Sequence, residues 1–177
     1  MSTAKDRVLE REFNAARALA APMGKADAEA LQLAAPSMSG TELNGSAAKI
    51  PMFTEAVKVK NMMEREAGEL TGFVCMSSAR RVVRLRQKYD SNVHRGEPEE
   101  YPALWKWVWS KDPAHARPFI KSAENYYEEG DCYTWGLEIY ASTYTGNTYS
   151  PEEYPAGSRL VGRINPDTGE IELITEG

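Results

Sequence analysis

The chain has 177 residues and carries a formal net charge of −5, with an isoelectric point near 5.2. This acidity argues against a general nucleic-acid binder, which is normally basic, and no apolar run approaches the roughly 20 residues of a membrane span. The first residues also lack the apolar core of a signal peptide. We therefore expect no nucleic-acid partner, no membrane partner, and a protein that stays in the cytoplasm where it is made or leaves by lysis or assembly.

The N-terminal part is predicted to be a helical arm. Apolar residues recur near one helical face over 3–21, and a second short helix over about 26–35 ends at Pro36. Helices this short are marginal in isolation, so residues 1–36 should dock on the rest of the chain, on another copy or on an assembly. The apolar face of the first helix comprises Val8, Leu9, Phe13, Ala16, Leu19 and Ala20.

The next segment is predicted to be a linker that leads into β-structure. Residues 37–51 are rich in Ser, Gly and Ala, although 39–43 could begin a turn of helix. Beyond them, residues 56–60 alternate, 72–76 form a short apolar run, and 80–89 are rich in β-branched and basic residues. These patterns are typical of short strands.

The last of these strands would carry a basic stripe. Strand alternation places Arg84, Arg86 and Lys88 on one face. Such a stripe would suit an anionic polymer. We favour the alternative, a solvated strand face that is balanced by the glutamates of 97–100.

One hexapeptide, Pro-Glu-Glu-Tyr-Pro-Ala, occurs twice, at 98–103 and at 151–156. The offset of 53 residues falls within the range of structural repeats and indicates duplication of one small unit. Two copies are too few for a solenoid, so we expect two modules side by side.

The predicted fold is mainly β, with an α-helical N-terminal arm and two small tandem antiparallel β modules. In the second module, strands are expected at 132–135 and 137–141 with a turn at Gly136, and the turn at 165–169 should form a C-terminal hairpin. Two prolines between the modules should force an extended connection. The predicted domains are the arm at 1–36, a linker at 37–51, a first β module at 52–110, a second linker at 111–118 and a second β module at 119–177.

Aromatic residues are concentrated in one stretch. All four tryptophans and eight of the nine tyrosines lie within 101–154, too many for the core of so small a unit. Exposed aromatic rings beside polar groups suit sugars. They equally suit a protein interface, in which Tyr and Trp dominate the binding energy.

Catalytic and metal-binding patterns are not found. His94 and His115 lie in predicted connections without a nucleophile elbow or metal spacing. Cys75 and Cys132 could form a single disulfide, but we expect two buried reduced thiols, since the chain has no export signal. Adjacent carboxylates, as at 152–153, could serve glycoside hydrolysis, but units this small rarely build the necessary cleft. We therefore expect no catalytic residue, no cofactor and no metal.

The second module resembles a known family of carbohydrate-binding modules. Residues 127–132, 135–142, 146–151 and 154–157 follow, in that order, the pattern of the chitin-binding 5/12 type. That pattern is a Tyr before a Gly-Asp pair, a strand, a Gly turn, a second strand with a Tyr, and a closing loop with Asn and Pro. The family has Trp where this chain has Tyr149 and Ser158.

The arrangement of the chain also resembles tailed-phage and prophage proteins that carry such a module at the C-terminus. The matching pieces are the helical N-terminal region, Gly-Thr-Glu at 40–42, Lys-Ile-Pro at 49–51 and Pro-Ala-Leu-Trp at 102–105. The resemblance covers roughly residues 39–161. In the first module few aromatic positions of the pattern remain, so that copy is expected to be degenerate.

The resemblance implies a non-enzymatic virion component, in a head or tail fibre, a decoration protein or a tail tip, assembled in the host cytoplasm. Its partners would be other virion proteins, further copies of itself and bacterial surface polysaccharide. The alternative is a purely structural capsid or tail decoration protein whose aromatics pack against neighbouring subunits. A third option is an accessory module of a cell-wall hydrolase. The implied sugar-binding residues are the rings of Trp135, Tyr140, Tyr144 and Tyr149, with Asp131 and Asn147 as polar contacts.

Overall fold

The computed structural model describes residue 7 and residues 24–175. The described residues fall into two compact units, one that extends to Val108 and one that begins at Trp109. The helix predicted over 3–21 lies outside the described residues, apart from Arg7. Within the described part, no helix is long and apolar enough to cross a membrane.

The first unit combines three α-helices with a three-stranded antiparallel sheet in the order β1-β2-β3. The first helix confirms the short helix predicted over about 26–35, and it tightens into a 3-10 turn at Pro36. The elements are α1 (Gly24–Ala34), α2 (Gly40–Gly45), α3 (Phe53–Val59), β1 (Val74–Met76), β2 (Val82–Leu85) and β3 (Trp105–Trp107).

The segment predicted to be a linker over 37–51 is folded. Ser39 caps α2: its hydroxyl accepts a hydrogen bond from the backbone of Glu42, whose carboxylate accepts one from the backbone of Ser39. Leu43 and Ile50 are buried. The polar composition at this point therefore marks the start of a helix that anchors the chain, not a flexible connection.

The strand predicted over 56–60 is wrong, because residues 56–59 belong to α3 and Lys60 is its C-cap. Phe53 and Ala56, three positions apart, are both buried, whereas Val59 is 84% exposed. The ring of Phe53 makes edge contacts with Tyr89 at 6.1 Å and with Trp105 at 5.7 Å. The residues that face the core are thus spaced as in a helix. The alternating pattern of residues 56–60 is too short to distinguish this helix from a strand.

The basic face of β2 is neither an anion-binding stripe nor a solvated face balanced by 97–100. Arg84 is buried and donates a 2.8 Å hydrogen bond to the carbonyl oxygen of Ala35. Arg86 pairs with Glu69 at 2.7 Å, and Lys88 donates to a backbone carbonyl. All three residues of the predicted stripe are therefore bonded to other groups within the unit.

The second unit is a five-stranded sheet in the order β4-β5-β6-β7-β8. The pair β4-β5 is parallel and the other pairs are antiparallel, so the all-antiparallel prediction is wrong at this edge, and the predicted linker over 111–118 supplies β4. The predicted hairpin at Gly136 and the C-terminal hairpin are confirmed. The strands are β4 (Arg117–Pro118), β5 (Cys132–Trp135), β6 (Glu138–Ser142), β7 (Ser158–Ile164) and β8 (Ile171–Leu173).

The two faces of this sheet differ in chemistry. One face carries a small aliphatic core that consists of Ala116, Cys132, Ile139, Ala141 and Ile164. Because side chains alternate along a strand, the other face receives the aromatic residues of β5 and β6. In register across that face, Tyr133 pairs with Tyr140 and Trp135 pairs with Glu138.

The repeated hexapeptide occupies the same topological position in both units. It ends the connection from β2 to β3 in the first unit and from β6 to β7 in the second. The strands that follow begin at Trp105 and Ser158, which keep the 53-residue offset. In each unit the residue before the hexapeptide also forms a reciprocal capping pair with the second glutamate of the hexapeptide, Glu97 with Glu100 and Ser150 with Glu153. The shared topology supports duplication of one unit.

Gly72 should be intolerant of any side chain, because a Cβ there would lie 1.9 Å from the carbonyl oxygen of Leu85. We expect Gly72→Ala to lower the free energy of unfolding by about 2 kcal/mol or more, since the backbone must shift. Gly45→Ala is the matched control. Its Cβ meets no atom within 4 Å and it lies in α2, where alanine is favoured over glycine by about 1 kcal/mol. Urea unfolding curves that coincide for the two variants would contradict this packing.

Candidate functional site

The aromatic residues of the second unit form two groups with different environments. The aromatic layer lies on one face of the sheet and consists of Trp109, Phe119, Tyr127, Tyr133, Trp135 and Tyr140. The tyrosine cluster lies in the connection from β6 to β7 and consists of Tyr144, Tyr149 and Tyr154.

The aromatic layer is the second core of the unit. Tyr127 and Tyr133 are fully buried, with ring centroids 4.6 Å apart. Trp109 and Phe119 stack on Tyr127 at 4.4 and 5.4 Å. Burial raises the pKa of Tyr133. The layer therefore explains most of the aromatic excess in the sequence without any ligand.

Two of the predicted sugar-facing rings belong to this layer. Trp135 is half-buried, meets Phe119 edge-on at 5.8 Å, and donates from its indole nitrogen to Glu152 at 3.3 Å. Tyr140 stacks on Tyr133 at 6.4 Å. Its hydroxyl donates to Glu138 at 2.6 Å, and this hydrogen bond raises the pKa of Tyr140 to about 12. Both rings are engaged with neighbours in the sheet.

The predicted polar contact Asp131 is buried in the turn before β5. One carboxylate oxygen accepts a 2.8 Å hydrogen bond from the backbone of Glu128, and the other lies 3.6 Å from the ammonium of Lys111. Burial raises the pKa of Asp131 in spite of these two favourable contacts. The structure gives this carboxylate a role in holding the turn.

The other predicted polar contact, Asn147, is fully buried, and its side chain holds the loop that carries the tyrosine cluster. Its side-chain oxygen accepts from the backbone of Tyr149 at 2.9 Å and from the hydroxyl of Tyr144 at 3.3 Å. Its amide nitrogen donates to the carbonyl oxygen of Gly157 at 3.0 Å, and its backbone pairs in both directions with Tyr127. Asn147 is thus a positioning residue.

The tyrosine cluster presents two rings at the surface. Tyr149 and Tyr154 are 47% and 46% exposed, and Tyr144 is half-buried. Tyr154 meets each of the other two rings at 6.2 Å and 72°. Gly157 lies beneath them: a Cβ there would stand 2.7 Å from Tyr154 and 3.1 Å from Tyr144, so only glycine lets these rings rest on the backbone.

Charged side chains border the cluster. The ammonium of Lys121 lies 5.4 Å from the ring centroid of Tyr149 and 2.7 Å from the carboxylate of Glu153. Hydrogen bonds from Lys121 and from the backbone of Ser150 lower the pKa of Glu153. Tyr154, Lys121 and Glu153 are absent from the site predicted from sequence, although the repeated hexapeptide pointed to Tyr154 and Glu153.

The first unit uses the corresponding tyrosine differently. Tyr101 stands at the position of Tyr154 in the repeat and packs against Tyr89 at 5.5 Å and His94 at 4.9 Å. Tyr89 is fully buried, and its hydroxyl donates to the carbonyl oxygen of His94. In the first unit this tyrosine therefore takes part in an internal aromatic group.

Among the described residues, no group of three or more His, Cys, Asp or Glu side chains is placed to hold a metal ion. Cys75 and Cys132 are free and buried, which confirms the prediction of buried thiols.

Comparisons with protein-family models, curated proteins and solved structures find no match.

Replacing Asn147 should destabilise the loop that carries the cluster. We expect Asn147→Ala to lower the free energy of unfolding by about 3 kcal/mol, because it removes the acceptor of the Tyr149 backbone and of the Tyr144 hydroxyl, and one of the two donors to the carbonyl oxygen of Gly157. Asn92→Ala, at an exposed asparagine, is the control and should be within about 0.5 kcal/mol of the parent protein. Chemical denaturation checks both; a neutral Asn147→Ala would contradict the positioning role.

The buried carboxylate of Asp131 should give the stability a distinctive pH dependence. Because its pKa is raised in the folded protein, the folded state binds this proton more tightly, and stability falls as pH rises from about the ordinary value of 3.8 through the folded pKa. Asp131→Asn removes this loss and retains an acceptor for Glu128. The difference in free energy of unfolding, variant minus parent, should therefore increase over that pH window and then level off. A difference that stays flat or decreases with pH would refute the assignment.

Proposed function

We propose that the second unit is a carbohydrate-binding module whose ligand packs on Tyr149 and Tyr154, in a non-enzymatic virion component that attaches to host surface polysaccharide. The supporting observation is that two half-exposed rings lie side by side on a loop whose backbone is held by the buried side chain of Asn147, and that the ring of Tyr154 rests on the backbone of Gly157. Aromatic faces beside hydrogen-bonding groups are the usual means by which proteins hold sugars.

The proposed site differs from the one expected from sequence. It keeps Tyr149 as a contact and Tyr144 as its support, and it adds Tyr154 from the repeated hexapeptide. Trp135 and Tyr140 support the sheet, and Asn147 positions the rings. Because the rings are pre-positioned, little conformational entropy is lost when a ligand packs on them.

The virion setting is proposed from the sequence resemblance to tailed-phage proteins. In this chain the module is preceded by a Gly-Thr-Glu segment, a Lys-Ile-Pro segment and a Pro-Ala-Leu-Trp segment, in the same order as in those proteins. Other virion proteins and further copies of the chain are the partners that this setting would supply.

A second candidate is a structural decoration protein whose tyrosine cluster packs against a neighbouring subunit. One observation favours it: the edge strand β8 ends in Leu173, which is 62% exposed, and the next residue, Ile174, is exposed as well. Exposed apolar side chains at a sheet edge are suited to pairing with another chain.

Binding to bacterial wall polysaccharide separates the two candidates. Full-length protein should be retained on purified host wall polysaccharide, and Tyr149→Ala combined with Tyr154→Ala should weaken retention by about tenfold or more, since each aromatic contact contributes roughly 0.5–1.5 kcal/mol beyond its burial. Tyr126→Ala is the matched control, because Tyr126 is 43% exposed and lies outside the cluster.

Sedimentation velocity on the same proteins completes the test. An oligomer that dissociates in the double variant, together with no retention of any form on polysaccharide, would replace the carbohydrate-binding proposal with the structural one. Equal retention of the double variant and the parent would show that binding occurs elsewhere on the molecule.

A further inference from the structure

We infer that the tyrosine cluster binds single pyranose units of an uncharged, soluble glycan chain, and not the flat face of an insoluble polymer. This inference rests on the proposed function and adds to it the class of ligand. It follows from the angles between the rings and from the charges that surround them.

The rings cannot form a flat surface. A polymer that lies flat on a protein needs successive rings that share a plane, so that consecutive sugars stack at the same height. Here the plane of Tyr154 makes an angle of 72° with the plane of Tyr149 and the same angle with that of Tyr144. Tyr149 and Tyr154 therefore form a corner at the surface.

A corner of this size suits one sugar ring at a time. The centroids of Tyr149 and Tyr154 are 6.2 Å apart, so a pyranose whose C–H face packs on one ring meets the other ring with its edge. The next unit of the chain must leave the corner. In addition, the ammonium of Lys121 lies over one face of Tyr149, which limits stacking on this ring to the opposite face.

The backbone that carries the rings is held in place by the fold. Gly157 brings Tyr154 and Tyr144 against the backbone, and Asn147 holds the backbone of Tyr149. The capping pair of Ser150 and Glu153 fixes the turn between Tyr149 and Tyr154.

The local charge disfavours an anionic glycan. Lys121 is already paired with Glu153, whose pKa is lowered, and Glu152 adds a second carboxylate on the same turn. The turn therefore has more negative than positive groups, and a polyanion would be repelled. Carboxylate and ammonium groups can still exchange hydrogen bonds with sugar hydroxyls, so a neutral sugar finds both acceptors and donors.

The test compares three forms of one polysaccharide, namely soluble neutral oligomers, insoluble powder and a soluble anionic derivative. The same comparison is made with a second polysaccharide. For full-length protein, the probes are soluble N-acetylglucosamine oligomers of one to six units, insoluble chitin powder and soluble carboxymethyl chitin; the second set is cello-oligosaccharides, cellulose powder and carboxymethyl cellulose. Isothermal titration measures the soluble probes and depletion from solution measures the powders. Tyr154→Ala identifies the binding that occurs at the cluster, and Tyr126→Ala serves as the control.

For at least one of the two polysaccharides, the soluble neutral oligomers should bind. Their affinity per sugar unit should stay constant within about twofold as the oligomer lengthens. Tyr154→Ala should weaken this binding by about tenfold, and the carboxymethyl form should bind more weakly than the neutral form. Binding to powder alone, affinity per unit that rises steeply with length, or preference for the carboxymethyl form would overturn the inference.

Failure of the inference can be told apart from failure of the proposed function. Retention on host wall polysaccharide that depends on Tyr149 and Tyr154, with no binding of any soluble neutral probe, overturns the inference and leaves the function standing. Absence of binding to the walls and to every probe overturns both.

Discussion

The buried amide of Asn147 is the interaction on which the proposed surface depends. The connection from β6 to β7 has little regular secondary structure, and this side chain supplies hydrogen bonds to Tyr149, Tyr144 and Gly157 in its place. The backbone of Asn147 also pairs with Tyr127, whose hydroxyl accepts from the backbone of Ile120 within the aromatic layer. The backbone at Tyr149 is therefore linked to the core of the unit through one buried polar residue whose hydrogen bonds are satisfied.

The repeated hexapeptide shows how surroundings decide what the same residues do. In the first unit Glu99 accepts a 2.5 Å hydrogen bond from Ser77, and Tyr101 packs into an internal aromatic group. In the second unit the equivalent Glu152 reaches Trp135 at the end of β5, and the equivalent Tyr154 is left half-exposed. Both glutamates thus tie the connection to a neighbouring hairpin, and what differs is the aromatic lining.

Sequence alone predicted the features that depend on local pattern. The hairpin at Gly136, the C-terminal hairpin and α1 follow from turn chemistry and helical periodicity. It misplaced features that depend on tertiary burial: the alternation at 56–60 is overridden by the spacing of buried residues in α3. Asp131 and Asn147 have the chemistry of sugar contacts, yet both are buried, and no local pattern distinguishes a polar residue that meets a ligand from one that satisfies the backbone.

The central claim is that the ligand meets the tyrosine cluster and not the aromatic layer. The most direct measurement is the aromatic ¹H–¹³C spectrum of full-length protein labelled at tyrosine and titrated with soluble wall polysaccharide, with signals assigned from single Tyr→Phe variants. The account predicts that the ring signals of Tyr149 and Tyr154 shift in a saturable manner while those of Tyr127 and Tyr133 do not. Saturable shifts confined to Tyr140 or Tyr126, with Tyr149 and Tyr154 unchanged, would contradict it.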